Sequence, residues 1–370
     1  MILENAILGL IELIDRARVS VLRWTLAFPI LRTAFYDRAV RNFLLFILAV
    51  ILYLPLSLYL PLWLLAVGPI VWGLPHVISS LRLQHRMISR SDSGKSSSSI
   101  KTTAAWLGGL WLTLAAIRIL SDVFGKSMHW DIFHPGLLEG IFSAATLLGL
   151  SYILAFDWVK IAFSFAAILA LNALIWFHPY AAIGILIIAH NFIAFLYWIE
   201  AAPVRRERGY AILAAVIFAL IHVAVWFKAF DGLINLMPSA DSLPWSGLDI
   251  NSLGHSITPW STDPNLWYRS VVLYSFGQAL HYFVWLKAIP DIHAPSRVPT
   301  SFHTSWVLLT RDIGKKVAIV AIVICAVPIT VGLLHHFTGA LQIYFAVASY
   351  HGYMELAGLG ALFGHRVRSL

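Results

Sequence analysis

Charge is scarce in this chain. Only 12 % of its 370 residues are Asp, Glu, Lys or Arg, against about 25 % in a soluble domain. Together with 59 % hydrophobic residues and a mean hydropathy of +0.79, that shortage predicts an integral membrane protein. Cysteine is almost missing. The single Cys325, inside an apolar run, excludes an intramolecular disulfide framework and any cysteine-based metal motif. No long polar segment divides the chain, so one helical bundle fits better than two domains. There is no GxxxxGK(S/T) phosphate loop, no HExxH and no GxSxG. The HxxxH and HxxHH boxes of a membrane fatty-acyl desaturase are missing, and no lysine lies deep in a late apolar run, which argues against a rhodopsin-type retinal Schiff base. Glu4, Glu12, Asp15, Arg16 and Arg18 interrupt anything like an h-region, so no cleavable signal peptide is expected.

Apolar runs of about 20 residues, the length that crosses a bilayer, make up most of what is present. They predict an all-α, polytopic transmembrane helical bundle of about ten spans, at 41–60, 62–82, 103–123, 136–156, 160–177, 180–200, 210–230, 266–286, 316–336 and 340–362. Only Pro61 separates the first two, and only His178-Pro179 the fifth and sixth; either pair is open to reading as one kinked helix. Residues 1–40 form a separate amphipathic segment. Leu3, Ile7, Leu10, Ile14, Val21, Trp24 and Phe28 share a helical stripe, with Glu4, Glu12, Asp15, Arg16 and Arg23 off it. A helix lying in the membrane interface is expected, with docking to a protein partner as the alternative.

The net charge of +8 does not point to nucleic acid, because most basic residues sit in short loops, with Arg118, Lys126, Lys228 and Arg269 as exceptions on or near the outer side. Arg38 and Arg41, Arg82 to Lys101, Lys160, Arg205 to Arg208, Arg297 to Lys316, and Arg366 with Arg368 all fall on one side of a ten-span bundle. The positive-inside rule makes that side cytoplasmic, and both termini with it. The longest outer loop, about 231–265, carries Asp231, Asp241, Asp249 and Asp263 without lysine or arginine. A multi-pass protein of the cell inner membrane is the expectation.

Four histidines interrupt these runs: His76 in GLPHVISS, His190 in IIAHNFIAF, His281 in GQALHYFVW and His351 in ASYHGYMEL. An ionisable side chain at membrane depth is costly and marks a functional site by default. All four lie on even-numbered spans, at or inward of the midplane. At 1.5 Å per residue, His190 and His351 are about 15 Å from their inner helix ends, and His76 and His281 about 8 Å. Tilt and kinks can absorb that mismatch, and Gly73 and Pro75 offer a kink. Neutral imidazole is a common ligand for iron, copper and zinc. Glu355 follows His351 by four residues, on one helix face, where it is placed to orient a ligand or shuttle protons. Ser79, Ser80, Asn191, Gln278 and Tyr350 are further polar neighbours.

The bland alternative is that each histidine hydrogen-bonds across helices. His222 fits that reading as a lone core histidine. His129, His134, His178, His255, His335 and His336 face the other side and read as surface residues, with an outward metal site as the alternative. Aromatics are abundant, with 15 Trp, 13 Tyr and 22 Phe. Phe195, Tyr197, Trp198, Tyr282 and Trp285 lie near the histidines, either as core packing or as the walls of a tunnel for a long apolar substrate.

The GLPH phrase on an early span, with single histidines on later spans, resembles the bacterial membrane-bound β-carotene 15,15′-dioxygenases of the Brp/Blh family. The resemblance covers Gly73, Leu74, Pro75 and His76 and then an order of histidines, His190, His281 and His351. Val77 stands where the family has glycine, and Trp285 where it has a further histidine. The resemblance implies a helical bundle that holds one non-haem iron by histidines and cleaves a carotenoid with O₂ to retinal. Two other classes stay open: a haem b electron-transfer protein with His190 and His351 as axial ligands, and a transporter or non-catalytic complex subunit. The expected partners are membrane lipid and a lipid-soluble small molecule, with no nucleic acid.

Overall fold

Pro61 breaks the first apolar stretch in two. In the computed structural model, which describes residues 2–91, 179–234, 236, 242–243, 248–294 and 299–334 and positions 109, 113, 173, 351, 352 and 355, α3 (Arg38–Tyr59) ends where Leu60 leaves helical geometry (φ −134°, ψ 46°). Pro61 then opens α4 (Pro61–Gly68) at its first turn, where the missing N–H costs nothing. The two apolar segments form a hairpin. Phe46 near the start of α3 shares a cluster with Leu83, whereas Leu58 and Leu62 both lie against the 271–274 stretch at the opposite end.

Two helices, α1 (Ile2–Leu26) and the short α2 (Pro29–Tyr36), precede the hairpin, and α5 (Leu74–Ser91) completes it. Between α4 and α5 the chain makes one π-helical turn, Pro69–Gly73. Then come α6 (Pro179–Ala201), α7 (Arg205–Trp226), a short α8 (Asp231–Ile234), a two-residue antiparallel pairing of Ser242–Leu243 with Leu248–Asp249, and α9 (Ile250–Ile257). α10 (Pro264–Phe283) runs through a second π turn, Val284–Ala288, into α11 (Ile289–His293). α12 (Phe302–Ile313) and α13 (Lys315–Leu334) follow.

Among the described residues, Arg38–Tyr59, Pro61–Ser80 and Arg205–Trp226 are long and apolar enough to cross a membrane. They coincide with the expected spans 41–60, 62–82 and 210–230. The expected spans at 180–200, 266–286 and 316–336 fall on α6, α10 with its π turn, and α13. Those at 103–123, 136–156, 160–177 and most of 340–362 lie outside the described residues.

α10 is the hub. Asp263 caps it, accepting from the Asn265 N–H at 2.9 Å, and Pro264 fills its first turn. From Arg269 to Tyr282 nearly every residue is buried, as a helix surrounded on all sides requires. Phe46, Phe195, Trp198 and Phe218 pack around it in one cluster with its own Phe276 and Leu280 and with Trp285.

Charges gather at the two ends. Arg41 pairs with Asp291 at 2.6 Å, Arg38 with Glu207 at 2.8 Å, Arg206 with Asp37 at 2.7 Å, and Arg82 with Asp312 at 2.5 Å. These are basic residues assigned from sequence to the inner side. At the other end Arg269, an exception to that pattern, is neutralised by Asp231 at 2.9 Å and Asp263 at 3.7 Å.

The N-terminal helix docks on the rest of the chain through charged residues and through Ile7. Asp15 accepts from the Phe302 and His303 N–H groups at 2.9 and 3.0 Å, Arg18 donates to the Pro299 and Thr300 carbonyls, and Glu4 pairs with Lys315. Ile7 packs with Trp306 and Ala318. Leu10, Val21, Trp24 and Phe28, from the expected apolar stripe, stay exposed.

Candidate metal centre

Four different elements deliver the four histidines to one point. His76 sits near the start of α5, just after the first π turn; His281 is near the end of α10, just before the second. His190 lies in α6, and His351 is itself helical. A π turn inserts one residue into an α-helix and re-aims the side chains beyond it, and such turns collect at functional sites. The kink expected at Gly73 and Pro75 is therefore a π turn ending at Gly73.

Close helix approach does the rest. α6 and α10 meet at Gly277, where an added Cβ would lie 2.6 Å from Asn191 Nδ2. Only a residue without a side chain permits that contact. It sets His190 and His281 against each other, with ring centroids 4.3 Å apart. Gly352 lies against the His190 ring at ordinary contact distance.

The ligand-capable nitrogens of His76, His190, His281 and His351 all lie within 4.8 Å of one another, so the four can hold a metal ion. His76 Nε2 and His351 Nε2 are 3.0 Å apart. An imidazole–metal bond of about 2.1 Å places adjacent ligand nitrogens about 3 Å apart. His76, His281 and His351 are buried, while the His190 side chain is 25 % exposed and gives the centre its one partly open flank among the four.

Hydrogen bonding among the histidines does not account for this arrangement. Both ring nitrogens of His281, a residue 1 % exposed, have no hydrogen-bond partner. A buried polar atom left unpaired costs about 1–3 kcal/mol, and an ion at the shared point relieves one of them. His222 is the contrast. Its Nδ1 donates to the Phe218 carbonyl at 2.9 Å, and its ring packs on Phe218 at 4.2 Å. It is a satisfied core histidine, as its isolation in the sequence suggests.

The surrounding polar groups link helices. Ser80 Oγ lies 3.1 Å from Nδ1 of His351, not of its helix neighbour His76. The Ser79 hydroxyl donates to the Trp285 carbonyl within the second π turn at 2.6 Å. The Gln278 amide donates to the Tyr282 hydroxyl at 2.7 Å, and the Tyr282 ring lies 4.8 Å from that of His76. Glu355 is fully buried, 2.8 Å from His351 Nε2 and 3.2 Å from His190 Nδ1. Tyr197 holds the Glu355 backbone, donating to its carbonyl at 2.7 Å. Nothing in the sequence singled out Tyr197 for that role.

Most described aromatics near the centre are core. Phe195 stacks on Phe218 at 4.4 Å, and Tyr197 lies 5.0 Å from Trp285. Tyr344, Phe345, Tyr350 and Tyr353 lie outside the described residues, as do His129, His134, His178, His335 and His336. His255, from the outward set, is exposed beside the Trp267 ring.

No family model, no curated protein and no solved structure matches this chain.

Proposed function

We propose that the chain is a multi-pass inner-membrane oxygenase whose non-haem iron is held by His76, His190, His281 and His351. It acts on a long apolar substrate drawn from the bilayer. The observation that carries the reading is the pair of buried, unpartnered nitrogens of His281 inside a four-imidazole cluster. Four nitrogen ligands suit iron, copper or zinc. Iron is the choice that agrees with the GLPH resemblance.

A haem fits poorly. With His190 and His351 as axial ligands, the macrocycle would need the space that the His76 and His281 rings fill, at centroid distances of 4.6 Å from His351 and 4.3 Å from His190 respectively.

Bound iron would supply the one-electron chemistry that O₂ needs. The chain's own residues do the rest. Dry packing by Tyr282, Trp285 and Tyr197 excludes water, and Ser80 fixes the His351 ring. The partly exposed flank at His190 is the side from which substrate and O₂ reach the centre. Glu355 sits beside two of the rings, placed to orient them or to move protons. Oxidative cleavage of a carotenoid at its central double bond, consuming one O₂ and giving two retinals, is the reaction to try first.

Each of the four single His→Ala variants is expected to lose iron, and His222→Ala to keep it. The loaded parent, given β-carotene and O₂, is expected to yield retinal by liquid chromatography. Retention of metal in two or more of the four variants would overturn the assignment of the centre.

A further inference from the structure

Glu355 is the most completely buried carboxylate among the described residues, at 0 % exposure, and neither of its oxygens makes a well-directed hydrogen bond, the nearest hydroxyl being that of Ser80. Among the described residues no lysine or arginine pairs with it. The other buried carboxylate, Asp291, is taken by Arg41 and Lys287 at the basic end. An unpaired charge held out of water is costly, and in practice such groups neutralise, pair or bind a metal. The oxygens nevertheless lie 2.8 Å from His351 Nε2 and 3.2 Å from His190 Nδ1 without a directed hydrogen bond to either. Ser80 occupies the other nitrogen of His351. The His351 nitrogen nearest Glu355 is therefore the one that also faces His76 Nε2, 3.0 Å away.

From this geometry, and resting on the four-histidine reading above, we infer that Glu355 is itself a metal ligand, making the centre one of four imidazoles and one carboxylate. The spacing fits toward two of the four rings: Oε1 lies 2.8 Å from His351 Nε2 and Oε2 3.2 Å from His190 Nδ1, and two adjacent ligands at about 2.1 Å from one ion sit about 3 Å apart. The charge fits as well. Four neutral imidazoles leave a divalent ion with its whole charge in a low-dielectric interior, and one carboxylate halves it. Binding through one oxygen makes five protein ligands and leaves a single position of an octahedron for a small exogenous molecule. A four-coordinate zinc site has no use for the fifth ligand, so this donor set favours iron.

Cobalt(II) tests the inference without any turnover. Tetrahedral cobalt absorbs strongly in the visible, and five- or six-coordinate cobalt weakly. The full chain, stripped and reloaded with cobalt in detergent, is expected to absorb weakly. Glu355→Ala is expected to absorb several-fold more strongly and to bind cobalt at least about tenfold less tightly, since even supporting residues of a metal site cost that much. Added acetate is expected to return the weak spectrum. Glu355→Gln, which keeps the shape, carries the same comparison should the alanine variant fail to fold. Unchanged spectrum and affinity in both variants would overturn the carboxylate ligand and leave the four histidines standing. A parent chain that takes up no cobalt would remove the centre itself.

Discussion

His351 is the most constrained side chain of the centre. Ser80 holds its Nδ1, while its Nε2 faces His76 and Glu355. A serine that fixes ring orientation and tautomer matters to a metal site nearly as much as a ligand does. Ser80→Ala is therefore expected to fold normally and to weaken metal binding about 10- to 100-fold, read by competition with a chelating dye; unchanged affinity would show that Ser80 does no such work. At this scale the sequence was informative about depth. The cost of imidazole in an apolar run singles out His76, His190, His281 and His351, and the four-residue spacing puts Glu355 beside His351. It was silent about partners. Ser80 reads as a neighbour of His76, yet its hydroxyl serves a ring 271 residues away. Helix rotation and neighbour order, which decide that, leave no mark on a single sequence.

Among the described residues, two helices carry a π turn next to a centre histidine, one just before His76 and one just after His281. Deleting one residue from a π turn restores regular α-helix and rotates everything beyond it by about 100°. Trp72 lies in the first turn and is half-exposed, so its removal takes little from the core. The Trp72 deletion is expected to keep helical content by circular dichroism and to lose metal; full metal content would contradict the role of the turn in aiming His76. Hydropathy located these helices well, and Leu60-Pro61 marks a true break rather than a kink. The π turns were not readable, because an i→i+5 bond pattern has no residue code beyond suggestive prolines and glycines such as Pro69 and Gly73. In the N-terminal helix the stripe was legible, and Ile7 from it docks on Trp306 and Ala318, but the part of the docking that runs through Asp15, Arg18 and Glu4 was not, because pattern alone assigns those residues to water.

Across the whole molecule, basic residues and their partners collect at one end and Asp231, Asp263 and Arg269 at the other, and the N-terminal helix is strapped to the basic end region through α12. That strap titrates. Burial pulls the Asp15 carboxyl upward, but the His303 and Phe302 N–H groups and the Arg18 guanidinium outweigh it and hold Asp15 below its ordinary value. A depressed folded value means the docking is fully stabilised above the unfolded carboxylate value of about 3.9 and fades as pH falls through the lower folded value. Spin labels at Ala6 and Val317, with Cys325 replaced, are expected to report one short distance near neutral pH and a broadened one in acid. Asp15→Asn is expected to be broadened throughout, and a parent distance insensitive to acid would contradict the strap.

Bound metal is the most direct test of the four-histidine centre. The purified chain in detergent, run through elemental mass spectrometry on its chromatographic peak, is predicted to carry about one iron per chain with no haem absorption band. No metal above background, after expression with iron, copper and zinc supplied, would contradict the account and move these histidines to proton relay or packing in a transporter or complex subunit.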